Sequence, residues 1–329
     1  MKTIKWGVIS TAKIGVEKVI PGMAKATNCE VVAIASRDVS KAREWADRLG
    51  LEKAFGSYEE LLADPEIDAI YNPLPNHLHV DWSIKALEAG KHVLCEKPLG
   101  MDSKDAQRLV EAAAGYPKLK VMEAFMYRFH PQWIQAKAWV DEGRIGNLRT
   151  INTLFSYYND DPTNIRNQAD IGGGGLLDIG CYCISLSRFL FGGRPKRVVG
   201  LVERDPEMRV DRMASGMMEF ETGTSSFTCS TQLMYYQRVQ IMGAKGRVEI
   251  EIPFNAPHES ESRVHLHSED GSIETAAPIA DQYTLQGEAF AQSIIENTPV
   301  PTPLSDAIDN LDVIDALFES AAEDRWVKL

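Results

Sequence analysis

The sequence predicts an α/β protein in two parts: a doubly wound parallel sheet, followed by an α+β region built on a mainly antiparallel sheet. Three observations carry that expectation. Short apolar runs alternate with segments of helical period over roughly the first third of the chain. Extended segments without intervening helices fill residues 195–268. The length, 329 residues, exceeds what one hydrophobic core usually holds, so two domains are expected.

Taken in order, IKWGVI (4–9), EVVAIAS (30–36), DAIYN (68–72), HVLCE (92–96) and KVMEA (120–124) read as short buried strands. Between them, residues 13–26, 40–49, 76–89 and 103–115 carry apolar side chains three and four apart, as a helix requires. Strands alternating with helices imply a parallel sheet covered on both faces. Ser40 is the expected N-cap of the second helix and Gly50 its stop; Asn76 is the expected N-cap of the third. The pattern changes near residue 122, which places the domains at 1–122 and 123–329. Beyond it, a helix is expected at 131–141 and extended chain at 147–157. Alternating segments such as SGMMEFE, SSFTCSTQL and RVEIEI imply an antiparallel sheet. A last helix, 304–322, is announced by Pro303 and Ser305.

Composition narrows the function. The chain is 44% hydrophobic and 25% charged, as a globular protein is, and its net charge of −12 argues against nucleic acid as a partner. The five cysteines are scattered; the pair Cys181 and Cys183 lacks a second pair to complete a zinc site. Buried free thiols in a reducing compartment are expected. The N-terminus runs straight into a strand pattern, so no signal peptide is expected. No apolar run long enough to span a bilayer stands out, so no membrane is expected and the chain reads as cytoplasmic.

The first strand-to-helix turn is GVISTAKIG, Gly7 to Gly15. A dinucleotide fold binds its pyrophosphate there, against backbone N–H groups and the positive end of the helix. The positions of the G-x-G-x-x-G fingerprint fall on Ser10, Ala12 and Gly15, so one glycine of three remains. Serine and alanine are the smallest replacements, and the hydroxyls of Ser10 and Thr11 can add hydrogen bonds. With Lys13 and Ile14 they form a candidate phosphate turn, beside the plainer reading of an ordinary strand–turn–helix. At the end of the second strand, Ser36 and Arg37 stand where NAD binders hold an acid, with Asp38 one step later. Arginine takes a 2′-phosphate in a two-pronged hydrogen bond, which favours NADP, with NAD still possible. The competing reading pairs Arg37 with Asp38 or solvent.

VLCEKPLG places Glu96 and Lys97 at the carboxyl end of strand 92–96, the edge where open α/β sheets bind ligands. NPLPNHLH (72–79) ends the preceding strand, and its prolines make a rigid turn. With no further ligands nearby, His77 and His79 read as polar structural residues rather than a metal site. Further on, four glycines open GGGGLLDIGCY (172–182), where Asp178 and Tyr182 have the four-residue spacing that shares one helical face.

The βαβ series with EKP at a strand end, then EAFMYRFHPQ, GGGGLLDIGCY and the closing PLSDAIDNLDVIDALFESA, resembles the Gfo/Idh/MocA oxidoreductase family. The likeness covers essentially the whole chain. It is nearest to the branch with dimeric dihydrodiol dehydrogenase, D-xylose dehydrogenases and glucose–fructose oxidoreductase, where a tyrosine occupies the position of Tyr182. The resemblance implies an N-terminal Rossmann domain and a C-terminal α+β domain with a large open sheet, joined as a homodimer or homotetramer. It implies Lys97, Asp178 and Tyr182 as catalytic residues and no metal. An ammonium beside a phenol favours the phenolate, so Lys97 and Tyr182 make a chemical pair, with Asp178 orienting a substrate hydroxyl or Lys97. Ser10 to Ile14, Ser36, Arg37, Pro73, Leu74, Asn76, His79, Glu96 and Lys97 are then the expected cofactor contacts. Tyr127, Arg128, His130, Arg166 and Asp178 are the expected substrate contacts. The glycine run is expected to let the backbone pass close under nicotinamide and substrate.

The expected function is NADP-dependent oxidation of an aldose, such as xylose or glucose, to its lactone. A trans-dihydrodiol, a keto-sugar reduced in the opposite sense, or two sugars sharing a retained cofactor fit the same residues. A dinucleotide-binding regulator without turnover is the reading from another class.

Overall fold

The protein is described as a computed structural model covering residues 2–269 and 271–329. It divides into two compact units, Met1–Met126 with Asp281–Ile308, and Tyr127–Ala280 with Asp309–Leu329.

The first unit holds β1 (Ile4–Ile9), α1 (Ile20–Met23), β2 (Cys29–Ala35), α2 (Val39–Leu49), β3 (Lys53–Phe55), α3 (Tyr58–Leu62), β4 (Ala69–Asn72), α4 (His79–Glu88), β5 (His92–Cys95), α5 (Ser103–Ala114) and β6 (Val121–Glu123). Its strands are all parallel, in the order β3-β2-β1-β4-β5-β6. The chain reverses direction across the sheet between β1 and β4, the switch point where such sheets bind ligands. Helices on both faces bury the inner strands, so these read as unbroken apolar runs; Trp6, Val8, Ile34, Ile70 and Val93 have no exposed surface.

Two helix starts differ from the sequence reading. Asp38, not Ser40, caps α2: its carboxylate accepts the N–H of Ser40 and of Lys41. Asn76 opens a 3₁₀ turn, Asn76–Leu78, and α4 proper begins at His79, so Asn76 does not cap it. The first helix is also irregular, with a π-helical stretch Gly15–Val19 ahead of α1.

The second unit holds α6 (Pro131–Asp141), β7 (Leu148–Tyr158), α7 (Cys181–Phe191), β8 (Arg197–Arg204), β9 (Asp211–Glu219), β10 (Thr224–Ser230), β11 (Gln232–Gly243), β12 (Gly246–Ile250), β13 (Ser262–Ser268) and β14 (Gly271–Ala277). There follow α8 (Gln282–Glu296), α9 (Leu304–Glu323) and β15 (Val327–Lys328). One nine-stranded sheet, ordered β14-β13-β12-β11-β7-β10-β9-β8-β15, runs through the unit. It is mixed: β7 and β10 are parallel and the other pairings antiparallel. Side chains alternate across it. Phe155, Phe227, Cys229, Val239 and Ile241 are buried on one face, while Leu201 and Met217 stand exposed on the other.

The helix α8 belongs to the first unit, so two continuous domains, 1–122 and 123–329, do not describe the chain. It packs on α1 at glycine: a Cβ on Gly22 would lie 2.8 Å from Cβ of Tyr283. All five cysteines are buried and free. Contrary to the expectation from sequence, the helical stretch Ala169–Phe191 is long and apolar enough to cross a membrane, but most of it is buried inside the protein.

Candidate active site

Each unit carries its own part of the expected machinery. In the first, the turn after β1 is built by Ser10, whose φ of 111° lies in a region that favours glycine. Its N–H donates to the carbonyl of Ala35 at 3.1 Å, and its Oγ accepts the N–H of Ala12 at 3.0 Å. The serine hydroxyl therefore shapes the turn from inside. Lys13 projects into solvent, with Glu17 3.9 Å away; Thr11, Ala12 and Ile14 are half-buried. At the end of β2, Ser36 donates its N–H to Phe55 O and its Oγ accepts from Asp38 N at 3.2 Å. Asp38 is exposed too but engaged at the start of α2 through Oδ1, and beside it stands the exposed guanidinium of Arg37. It lies beside the Tyr58 hydroxyl, whose pKa burial pushes up and Arg37 pulls down.

The ends of β4 and β5 are tied together by buried side chains. His79, at the head of α4, places Nδ1 2.7 Å from Pro98 O and Nε2 2.6 Å from Leu74 O. Burial pulls its pKa down to about 4, against the pull of those two carbonyls. The ring of His79 thus stands between the two loops, with Pro73 and Leu74 on one and Lys97 and Pro98 on the other, and in its neutral form it donates to one of the two carbonyls. Asn72 donates to His79 O and to Ser83 Oγ, both at 3.1 Å, and its Oδ1 accepts Leu74 N. The Tyr71 hydroxyl donates to Glu96 Oε1 at 2.7 Å, and Glu123 accepts Leu99 N at 2.8 Å. The Lys97–Pro98 peptide is cis. Tyr71, Asn72 and Glu123 were not singled out by sequence; each ends a strand that reads as plain core.

The second unit carries Asp178 and Tyr182. The glycine run leads into a π-helical turn, Leu176–Gly180, and α7 follows. The four-residue spacing of Asp178 and Tyr182 therefore crosses a wider turn and is not that of a regular α-helix. Asp178 Oδ2 accepts the Tyr157 hydroxyl at 2.5 Å and Arg166 Nε at 3.0 Å. The pair holds Arg166 firmly charged, with Asp178 the largest cause, while burial and then Asp178 push the Tyr157 phenol upward. Tyr182 is 5% exposed and packs against Phe254, Tyr127 and Phe155, with centroids 5.2, 5.9 and 5.9 Å away.

The remaining expected substrate contacts build this unit from within. Tyr127 is fully buried, with its hydroxyl 2.8 Å from Ser185 Oγ, which also accepts Arg128 Nη2 at 2.7 Å. Both therefore hold α7 in place. His130 caps α6, its Nδ1 accepting Gln132 N at 3.3 Å.

The glycines differ most from expectation. A Cβ on Gly173 would lie 2.6 Å from Arg166 O, and one on Gly174 1.9 Å from Asp211 Oδ1. The space a side chain would need is filled by the protein's own loop and carboxylate, not kept for a ligand.

Two family models match the chain: "Oxidoreductase family, NAD-binding Rossmann fold" over residues 4–125, and "GFO/IDH/MocA C-terminal domain" over residues 133–249. An oxidoreductase of Rhizobium meliloti is 42% identical over 99% of both chains. A D-xylose 1-dehydrogenase (NADP(+)) of Haloferax volcanii is 38% identical, over 98% of this chain and 99% of that one. A solved 3-ketoreductase from Actinomadura kijaniata, in complex with NADP and TDP-benzene, superposes with a TM-score of 0.90 at 32% identity, over 97% of this chain and 98% of that one. That enzyme has also been solved with a tyrosine replaced by phenylalanine and with a lysine replaced by alanine. A nicotinamide-binding Rossmann domain followed by a Gfo/Idh/MocA C-terminal domain, matched along nearly the full chain by such relatives, settles the kinship: this chain belongs to the Gfo/Idh/MocA family of oxidoreductases.

Proposed function

We propose that the chain is an NADP-dependent sugar dehydrogenase that oxidises the anomeric carbinol of an aldose, such as xylose, to the lactone. The observation that carries the cofactor choice is the corner after β2. Asp38 caps α2 through its Oδ1, which ties that carboxylate to the helix start rather than leaving it to turn toward a 2′-hydroxyl. Arg37 is exposed there instead, a fit for a 2′-phosphate. The turn Ser10–Gly15, opening directly into a helix, fits a pyrophosphate. The xylose dehydrogenase relative supports the substrate class.

Bound NADP would accept the hydride. On the protein side, the Tyr182 phenolate takes the hydroxyl proton of the carbinol and becomes the phenol, and general acid–base help of this kind contributes roughly 10²–10⁴-fold. Lys97 favours the phenolate through its charge and donates to the reacting oxygen. Asp178 holds Arg166 and Tyr157 as the polar neighbours of that helix. Replacing Tyr182 by Phe keeps the aromatic packing and is expected to cut turnover roughly 10²-fold or more while NADPH binding is retained. An undiminished rate removes Tyr182 from the chemistry.

The same residues run in reverse as a keto-sugar reductase, a reading favoured by the 3-ketoreductase relative. Comparing D-xylose oxidation with reduction of a 3-keto sugar nucleotide separates the two. The exposed sheet face, with a depression of about 690 Å³ lined by Leu201, Met217, Tyr236 and Arg238 among others, supports a homo-oligomer. Leu201→Glu, tested by light scattering, is expected to yield a monomer.

A further inference from the structure

One buried carboxylate outside the expected machinery is keyed into the glycine run. Asp211, the first residue of β9, is 2% exposed, and its Oδ2 accepts Leu176 N at 2.6 Å. The N–H groups of Gly175 and of Asp211 itself add to its hydrogen bonding. Gly174, at φ 121°, has no room for a Cβ because Asp211 Oδ1 occupies that place. The carboxylate thus sits at the start of the helical turn that bears Asp178 and, one turn later, Tyr182. A negative charge is favourable there. Arg204 of β8 and Cys229 of β10 are the other polar groups that face it.

We propose that Asp211 is a positioning residue for the reaction: by locking Gly174, Gly175 and Leu176 it sets the aim of the helix that carries Tyr182. The proposal rests on the reading of Tyr182 as the proton-transfer group. A hydroxyl or an amide would satisfy one N–H at less cost than a buried charge. A carboxylate accepts several at once and fixes the turn in one geometry. Burial pushes the Asp211 pKa up to about 6. The buried site thus favours the protonated acid over the charge, and the lock holds as pH falls toward that value, while NADP affinity stays as it was.

The test compares Asp211→Asn with wild type in the full chain. Hydrogen exchange of the segment 174–182 needs no substrate, and it is expected to quicken roughly tenfold in Asp211→Asn. With NADP⁺ and D-xylose, kcat is expected to fall roughly tenfold or more at unchanged KM for NADP⁺. In a Tyr182→Phe background the same substitution should cost little further, since the two act through one geometry. Should Asp211→Asn fail to fold, Asp211→Glu, which keeps the charge but lengthens the side chain past the space beside Gly174, gives the same comparison. Unchanged exchange in the segment overturns the lock. Faster exchange with kcat unchanged overturns its link to catalysis. Full turnover by Tyr182→Phe overturns the reading beneath it, and the exchange result tells that failure apart from failure of the lock.

Discussion

The turn after β1 and the turn before α7 are counterparts with opposite composition. The first has lost two of the three glycines its fingerprint asks for; the second has four in succession. Both lead into a five-residue π-helical stretch, Gly15–Val19 and Leu176–Gly180. Ser10 holds a glycine-like φ in the first turn, and its own hydroxyl binds Ala12 N to keep it there. In the second, Gly173 and Gly174 are required by contacts with Arg166, Gln168 and Asp211. Glycine in a sequence signals a close approach, but it does not say to what. A missing glycine does not show that the turn is absent.

The largest effect should come from Gly174→Ala. The added methyl collides with Asp211 Oδ1 at a φ that L residues rarely adopt. A cost of about 3 kcal/mol or more is expected, read as a lowered midpoint of thermal unfolding. A neutral result would mean that the turn and Asp211 separate freely, against the account of the second turn.

Next in size is Arg37→Ala. If the first turn and the corner after β2 together hold NADP, the affinity for NADP⁺ should drop roughly tenfold to a hundredfold, with little change for NAD⁺. Equal losses for both cofactors would show that Arg37 does not read the 2′-phosphate.

The pH dependence of stability is a smaller test. Burial raises the folded pKa of Asp211 to about 6, above the ordinary carboxylate range. The folded state therefore binds a proton more readily than the unfolded one between that range and about 6. This group's contribution makes stability rise as pH falls through that window, the reverse of a salt-bridged carboxylate. Wild type should therefore gain in thermal midpoint relative to Asp211→Asn as pH is lowered from about 7 to about 5.

Ser10→Gly should do least. It removes the backbone strain at φ 111° and the hydroxyl bond to Ala12 together, so a change within about 1 kcal/mol is expected. A large loss of NADP affinity would show that the hydroxyl itself touches phosphate.

Much of this arrangement was legible in the sequence. The alternation of periods located five of the six parallel strands, and EKP located the lysine at the end of β5. The strand β3 escaped because Lys53–Phe55 spans three half-buried residues, too short for any period. The helix α8 escaped because its pattern is broken by Gly287 and by buried Gln282, Gln286 and Ser293, residues chosen for contact rather than for amphipathic form. The bracing contacts of Tyr127 and His130 could not be read because a buried tyrosine that braces a helix looks the same in sequence as one that touches a sugar. Asp211 was invisible for a related reason. Its partner, the glycine run, is distant in sequence, and a carboxylate at the head of a strand ordinarily means solvent.

The central claim is hydride exchange between a nicotinamide and a sugar carbinol, with Tyr182 moving the proton. Its most direct test is nicotinamide absorbance, with NADP⁺ and NAD⁺ each offered to wild type and Tyr182→Phe over a panel of aldoses that includes D-xylose. The account predicts that wild type reduces NADP⁺ in preference to NAD⁺ with at least one aldose, and that Tyr182→Phe is nearly inactive while still binding NADPH. Equal rates for the two proteins would contradict it.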